Sequence, residues 1–410
     1  MVNKLVRRVS ALGLACAAAV GTTAVVGGQA MASERVAARV GQQTLDTAAL
    51  QAAIQPRPGE GAAGAIARVV KGGQVWQGSS GDTVTGRSVP ADAHFHIGSI
   101  SKTFETVVVL QLAAEGRIDL DQTVQHYMPG LLPDTFRQPI TVRELLNMTS
   151  GLPDVDQGAP DQSADYLIAH RYDYRTFDQV IQDTLRPLGR PAPGPNFAPG
   201  TAQQYNSLGF RIAGKLIEQI TGNSFRDEVT ERIIKPLHLS QTSVPEDRTR
   251  MPRPYLHGYL TSGDGRAVDV SEQGGNPSNM ISTPSDLDHF ITALFQGRLL
   301  PAAQLDEMFR LPEGSDGKTL KYFDNSNCTD GKGNPGPACF GAGLMGNPLP
   351  DGTVLWGKTG HDLGYANGVF ATRDLSMKGV FSVSTTDLNN GRPTALSNRL
   401  LMAALKPAGH

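Results

Sequence analysis

The stretch Phe95-His96-Ile97-Gly98-Ser99-Ile100-Ser101-Lys102 combines a strand-like segment, a glycine and the first turn of a helix. An α-helix has about 3.6 residues per turn, so Ser99 and Lys102 share one helix face. A serine at a helix start also lies beside free backbone N–H groups, where the dipole favours developing negative charge. The spacing therefore predicts a nucleophilic hydroxyl with an amine as its base. The alternative is a solvated helix start, because Ser-x-x-Lys is a weak pattern by itself.

The first 32 residues have the pattern of a secretory signal peptide. Basic residues come first, an apolar stretch covers 11–28, and Ala30-Met31-Ala32 is typical of a cleavage site. A membrane anchor is the alternative, but the stretch is rich in Ala, Gly and Thr and barely long enough to span a bilayer. We therefore expect a secreted, extracellular protein with no stable membrane anchor.

Composition limits the partners. The formal net charge of −2 argues against nucleic acid and anionic membranes, because both require a basic face. Cys328 and Cys339 flank a turn-rich loop and predict a local disulfide in an oxidising compartment. A zinc site is the weaker alternative, because no second Cys or His pair accompanies them. The sequence contains no His-Glu-x-x-His motif or clustered metal ligands, so we predict no metal and no cofactor.

Strand patterns occur near both ends of the chain, and helix patterns lie between them. A hairpin is predicted at 61–70 and 75–76, and three more strands near 354–356, 369–371 and 380–383. Helices are predicted from Ser99, from Thr141, where Thr141 and Glu144 form a capping box, over 209–220, where Gly222 ends the helix, and over 285–295 and 394–405. This order predicts an α/β fold of the α+β type, with one antiparallel sheet formed by the N- and C-terminal segments and flanked by helices. We assign 33–115 and 300–410 to the sheet domain and 116–299 to a mostly helical inserted domain, with the active site between them.

Two further motifs suit a serine acyl-transfer site. Tyr205-Asn206-Ser207 precedes a predicted helix, and its phenol is suited to moving a proton between nucleophile and leaving group. An ordinary core tyrosine is the alternative. Lys358-Thr359-Gly360 lies on a predicted strand, where a lysine and a hydroxyl are suited to holding a substrate carboxylate. Gly360 permits close approach of another backbone. An exposed strand lysine beside a turn is the alternative.

The three motifs occur in the order used by penicillin-recognising serine enzymes. With them, the chain resembles the class C β-lactamase and D-alanyl-D-alanine carboxypeptidase family. The resemblance runs from about Leu50 to the C-terminus and includes the segments 95–102, 112–120, 141–153, 197–200, 281–287 and 357–365. It implies a β-lactamase/transpeptidase-like fold.

The resemblance also implies a mechanism. Ser99 attacks the substrate carbonyl and becomes acylated, while Lys102 in its neutral form takes or relays the proton. Tyr205 protonates the leaving amine and later helps water attack the acyl-enzyme. The backbone N–H groups of Ser99 and His361 would form the oxyanion hole, each contributing about 3 kcal/mol.

The substrate-binding residues implied by the resemblance are Ser207, Lys358, Thr359, Gly360 and His361. Lys358 and Thr359 would anchor the terminal carboxylate. One position departs from the family, which usually has Tyr-x-Asn. Here the third position is Ser207, and its shorter side chain would contact the substrate amide less well.

We therefore expect a serine D,D-carboxypeptidase that acts on small D-Ala-D-Ala-type peptides such as peptidoglycan stem peptides and is acylated by β-lactams. The alternatives are a β-lactamase, an esterase or D-aminopeptidase on the same fold, or a non-catalytic sensor of muropeptides or β-lactams. We expect a monomer.

Overall fold

A computed structural model describes residues 45–155, 163–349, 351–388 and 394–405. The signal peptide predicted at 1–32 lies outside the described residues. Among the helices of the described ranges, none has the length and apolar character needed to cross a bilayer.

The strands define a large antiparallel sheet and two small ladders. In chain order they are β1 (Ala62–Lys71), β2 (Gln74–Ser80), β3 (Phe95–His96), β4 (Tyr259–Thr261), β5 (Ala267–Asp269), β6 (Ile281–Ser282), β7 (Met345–Pro348), β8 (Val354–Asp362), β9 (Tyr365–Thr372) and β10 (Met377–Thr385). The six-stranded sheet has the order β2-β1-β10-β9-β8-β7, while β3 pairs with β6 and β4 with β5. Because β1 pairs with β10, strands from the two ends of the chain share one sheet, as predicted. The assignment of two domains stays a prediction.

The helices lie mostly between these strands in sequence. They are α1 (Thr47–Ala53), α2 (Ser101–Ala114), α3 (Val124–Tyr127), α4 (Val142–Leu146), α5 (Ala164–Ala169), α6 (Phe177–Leu185), α7 (Ser207–Thr221), α8 (Phe225–Val229), α9 (Pro284–Phe295), α10 (Ala302–Glu307) and α11 (Ala395–Leu405). Local chemistry sets several of their ends. Thr141 and Glu144 form the predicted capping box of α4, and Gly222, in the left-handed region at φ 77°, ends α7.

Apolar residues cover both faces of the sheet. Along β1, Ala65, Ala67 and Val69 pack in a cluster with residues of α1 and α11. Ile66 belongs to the larger cluster that includes α2, α7 and α9. Side chains alternate between the faces of a strand, so β1 contributes to both clusters.

Helix α2 crosses the larger cluster and is buried along most of its length. The ring of Phe104 stacks on that of Phe290 in α9, with centroids 3.7 Å apart. A helix that is buried on nearly every side belongs to the core, so the residues at its start have a fixed position.

The Cys328–Cys339 disulfide is confirmed, with the sulfur atoms bonded at 2.00 Å. It closes the turn-rich loop that leads to Phe340 and then to β7.

Candidate active site

Ser99 lies on a 3₁₀ turn, Gly98–Ile100, which joins β3 to α2. Its Oγ accepts hydrogen bonds from Lys102 Nζ at 3.1 Å and from the Tyr205 hydroxyl at 2.7 Å. The structure therefore brings the three predicted catalytic residues together. Either partner, once deprotonated, is placed to take the proton of the serine hydroxyl.

Buried polar contacts fix Tyr205 in this position. Its backbone N–H donates to the Tyr322 hydroxyl at 2.7 Å. Two residues earlier, the Gln203 side chain donates to the carbonyl oxygens of Asn147 and Phe340 and accepts the Phe340 N–H. Gln203 is fully buried, so these bonds tie the Tyr205 segment to α4 and to the disulfide loop. Sequence analysis missed Gln203 and Tyr322, because no local pattern distinguishes a buried glutamine or tyrosine of this kind.

The side chain of Lys358, on β8, lies beside Tyr205 in the cluster formed by Ser99, Lys102 and Tyr205. It is 2% exposed, and its Nζ donates to the Thr359 carbonyl oxygen at 2.9 Å. The ammonium nitrogen lies 4.8 Å from the centroid of the Tyr205 ring, and Lys102 Nζ lies 5.4 Å from the same centroid. Two lysines therefore flank one buried phenol.

These charges make the Tyr205 phenol more acidic than usual. Burial by itself opposes ionisation, but Lys102, Lys358 and the hydrogen bond with Ser99 outweigh it and lower the pKa of Tyr205 to about 8. Burial lowers the pKa of Lys358; the nearby phenol opposes this shift and Lys102 adds to it. A phenol with a pKa near neutrality is well suited to acid–base catalysis.

Strand β8 packs directly against the turn that carries Ser99. β7 pairs with β8 only from Val354 to Gly357, and the Ser99 turn lies beside the following residues. A Cβ on Gly360 would lie 2.0 Å from the carbonyl oxygen of Ile97, so this approach requires glycine.

The same contact places the backbone of His361 beside the nucleophile. Asp362 and Tyr365 form the pair that closes a two-residue turn between β8 and β9. In an antiparallel ladder, hydrogen-bonded pairs alternate with pairs that are not hydrogen-bonded, so the N–H of the next residue, His361, points away from β9. A Cβ on Gly98 would lie 2.3 Å from the carbonyl oxygen and 2.6 Å from the nitrogen of His361, which shows how closely the two segments approach. The oxyanion hole predicted from the N–H groups of Ser99 and His361 stays a prediction.

Asn206 and Ser207 do not share the role of Tyr205. The Asn206 side chain caps α7 by accepting the Gly209 N–H at 2.6 Å, and it donates to the Leu152 and Pro153 carbonyls. Ser207 donates its N–H to Asp154 Oδ1 at 3.0 Å, and its hydroxyl makes no hydrogen bond with any described residue. Asn206 is thus a structural residue, and its position before Ser207 is the N-cap signal that sequence analysis overlooked.

The described parts of the chain contain no group of three or more His, Cys, Asp or Glu side chains placed to hold a metal ion. The groups gathered at Ser99 are those needed for acyl transfer: a nucleophile, an acid–base phenol, two amines and backbone N–H donors.

Comparison with known proteins agrees with this arrangement. The family model described as Beta-lactamase matches residues 50–404. Esterase EstB of Burkholderia gladioli is 30% identical over 258 residues, 56% of this chain and 64% of that protein. Penicillin-binding protein 4* of Bacillus subtilis is 24% identical over 252 residues, 58% of this chain and 52% of that protein. The chain thus spans between half and two thirds of the length of these two relatives.

Solved structures share the whole fold. A D-stereospecific amidohydrolase from Streptomyces sp. has a TM-score of 0.71 and 32% identity, covering 88% of this chain and 98% of that one. The D-amino acid amidase of Ochrobactrum anthropi SV3 shows the same fold at a TM-score of 0.67 and 24% identity, covering 87% of this chain and 98% of that one. With a family match over most of its length and the serine, lysine and tyrosine motifs in one site, the chain belongs to the β-lactamase family of serine hydrolases, among its class C and penicillin-binding-protein-like members.

Proposed function

We propose that the protein is a secreted D-stereospecific serine peptidase that cleaves D-Ala-D-Ala-type peptides through an acyl-enzyme on Ser99. The single observation that carries the chemistry is the Ser99 Oγ, which is hydrogen-bonded to both Lys102 and Tyr205. The similarity at 32% identity to a D-stereospecific amidohydrolase, over 98% of that chain, supports an amide substrate of D configuration.

In the proposed mechanism, Tyr205 acts as the base. The ionised phenol takes the proton of Ser99 as Oγ attacks the substrate carbonyl carbon, and the oxyanion lies at the N–H groups of Ser99 and His361. Tyr205 then gives its proton to the leaving nitrogen, and the C–N bond breaks. A water molecule then loses a proton to Tyr205 as it attacks the acyl carbon. The bond between the acyl carbon and Ser99 Oγ breaks, and Tyr205 gives that proton to Oγ, which restores the serine hydroxyl and the phenolate.

This division of roles differs from the one implied by the resemblance, in which neutral Lys102 takes the proton. The pKa of Tyr205, lowered to about 8, supports the phenolate as base, with Lys102 as one of the charges that stabilise it. Lys102 also donates to Ser99 Oγ, which fixes the direction of the nucleophile.

A second candidate is an amidase or esterase that accepts uncharged substrates. Lys358, the implied carboxylate anchor, is buried and already donates to the Thr359 carbonyl. An amine engaged in this way is a weak partner for a substrate carboxylate. The similarity to esterase EstB, at 30% identity over 64% of that protein, supports the same candidate.

The test compares matched substrates on purified protein, with Ser99→Ala as the control. The set contains a D-Ala-D-Ala peptide, its C-terminal amide, its D-Ala-L-Ala counterpart, a p-nitrophenyl ester and nitrocefin. The proposal expects the free D,D-acid to give a kcat/KM at least roughly ten-fold above its amide and roughly a hundred-fold above the L form.

Faster turnover of the amide or ester than of the free acid would establish the second candidate instead. Preferential turnover of nitrocefin would indicate a β-lactamase. A Ser99→Ala protein that hydrolyses the best substrate as fast as the parent would refute the acyl-enzyme mechanism.

A further inference from the structure

Tyr322 is a buried tyrosine that takes no part in the mechanism above, yet it contacts the backbone of Tyr205. It is 2% exposed. Its hydroxyl oxygen accepts a hydrogen bond from the Tyr205 N–H at 2.7 Å and another from the Asn327 side-chain amide at 3.0 Å. A phenylalanine at this position would fill the same space but could accept neither bond. The hydroxyl of Tyr322, rather than its ring, therefore calls for an explanation.

The partners of the Tyr322 hydroxyl belong to a closed ring of contacts that runs through the disulfide. Asn327 precedes Cys328, which is bonded to Cys339. The Cys339 N–H donates to Gln203 Oε1 at 2.9 Å, and Gln203 lies two residues before Tyr205. The segment 322–339 therefore holds the chain around Tyr205 at two points, the Tyr205 N–H and the Gln203 side chain.

These two anchors limit how far the Tyr205 phenol can move. Its hydroxyl lies 2.7 Å from Ser99 Oγ, a distance that a small shift of the backbone would lengthen. Proton transfer requires hydrogen-bond contact between the two oxygens. Displacing a reacting group by about 1 Å costs roughly a hundred-fold in rate, so the position of the Tyr205 backbone matters for catalysis.

The two tyrosines differ in their electrostatic surroundings. Burial opposes the ionisation of Tyr205, but Lys102 and Lys358 outweigh it and lower the pKa of Tyr205 to about 8. Burial raises the pKa of Tyr322, although hydrogen bonds from Tyr205 and Asn327 oppose the shift. Tyr322 therefore stays neutral over the range in which Tyr205 ionises, and it serves as a hydrogen-bond acceptor rather than as an acid or a base.

We propose that Tyr322 is a positioning residue: by accepting the Tyr205 N–H, it holds the phenol of Tyr205 against Ser99 for proton transfer. The inference rests on the proposed acyl-transfer chemistry at Ser99. It assigns Tyr322 no contact with substrate. The effect of Tyr322 passes through Tyr205, and Asn327 and the disulfide keep Tyr322 itself in place.

The test measures the rate at which a fluorophosphonate labels Ser99 between about pH 6.5 and pH 10, followed by intact-protein mass spectrometry. In this reaction Oγ forms a bond to phosphorus, fluoride leaves and the serine proton passes to Tyr205, so no natural substrate is needed. We expect Tyr322→Phe to be labelled roughly ten-fold more slowly than the parent at about pH 8. The ionisation of Tyr205 should also move up by about half a pH unit or more, because a displaced phenol loses part of the attraction of Lys102 and Lys358.

Tyr127→Phe is the matched control, because the Tyr127 hydroxyl also accepts a backbone N–H, that of Asp119, at 2.7 Å. This variant removes the same kind of hydrogen bond at α3, so we expect the parental rate and pH profile. A Tyr322→Phe protein with the parental rate and profile would overturn the proposal. A rate lowered by one factor at every pH, with the ionisation unmoved, would also overturn it, because that result indicates less folded protein rather than a displaced phenol.

Asn327→Ala decides the question if Tyr322→Phe folds poorly. Asn327 is exposed, so its substitution leaves the core intact, but it removes the second hydrogen bond to the Tyr322 hydroxyl. We expect a smaller change in the same direction, with labelling roughly two- to three-fold slower and the ionisation moved up. The parental rate and profile in this variant would then overturn the proposal.

The two proposals fail in different ways. If the parent protein shows no adduct on Ser99 at any pH, the acyl-enzyme proposal fails, and the inference about Tyr322 fails with it. If the parent is labelled and Tyr322→Phe follows the same profile, only the inference about Tyr322 fails.

Discussion

Replacing Glu105 by methionine should raise the free energy of unfolding relative to the parent protein, by an amount that grows as the pH rises. The pKa of this buried carboxyl is raised from 4.5 to about 8 in the folded protein. One pKa unit corresponds to about 1.4 kcal/mol, so a difference of about 3.5 units amounts to about 5 kcal/mol. That is the free energy by which ionised Glu105 destabilises the fold relative to its protonated form.

The sign follows from the direction of the shift. Between about pH 4.5 and pH 8 the folded protein retains a proton that the unfolded chain has lost, so the stability falls by about 1.4 kcal/mol per pH unit. Above about pH 8 both states have lost the proton and the dependence levels off. Glu105→Met lacks this group and should not show that fall.

Urea unfolding of the two proteins at about pH 5.5 and pH 7.5 measures the effect. The difference in free energy of unfolding should shift by about 3 kcal/mol in favour of Glu105→Met over this range, because all other titrating groups cancel. Glu228→Met is the control: removing a carboxylate paired with Arg232 should destabilise the protein. A Glu105→Met difference that is the same at both pH values would refute the reasoning.

Three further substitutions test the site and its supports. Tyr205→Phe should lower kcat by roughly 10²- to 10³-fold and remove the ionisation near pH 8 from the pH–rate profile. Asn206→Ala should reduce stability by about 1–3 kcal/mol in urea unfolding, because it removes a helix cap and two hydrogen bonds. Gly360→Ala should lower both stability and kcat, because its Cβ would lie 2.0 Å from the Ile97 carbonyl oxygen. Thermal unfolding and rate measurements test the two effects.

Each of these has an outcome that would contradict it. A Tyr205→Phe enzyme with an unchanged pH profile would exclude the phenol as base. Asn206→Ala with unchanged stability would mean that the cap is dispensable. Gly360→Ala with parental activity would show that β8 does not need its close approach to the Ser99 turn.

Local patterns in the sequence predicted several of the helix ends and the hairpin. The capping box at Thr141, the glycine stop at Gly222 and the turn between β1 and β2 all lie where the pattern placed them. The approach of Lys102 to Ser99 belongs to the same class, because a helix fixes the distance between neighbours one turn apart.

The role of Asn206 was not predicted from the Tyr205-Asn206-Ser207 motif. Only Tyr205 and Ser207 of this motif were predicted to act in the site, and the structure shows that Asn206 caps α7 and holds the preceding loop. Cap residues and substrate-binding residues have the same chemistry, so only the neighbouring backbone distinguishes the two roles.

The sequence by itself therefore determined the family, through three short motifs, as well as the strands near both ends of the chain and the pairing of Ser99 with Lys102. Each of these features depends on residues that lie close together in the chain. The tertiary structure decided that Tyr205, 106 residues from Ser99, lies 2.7 Å from its hydroxyl and beside Lys358. It also decided that Glu105 is buried next to Lys102. The acidity of Tyr205 and the charge of Glu105 depend on burial and on distances between separate elements, and both quantities exist only once the chain has folded.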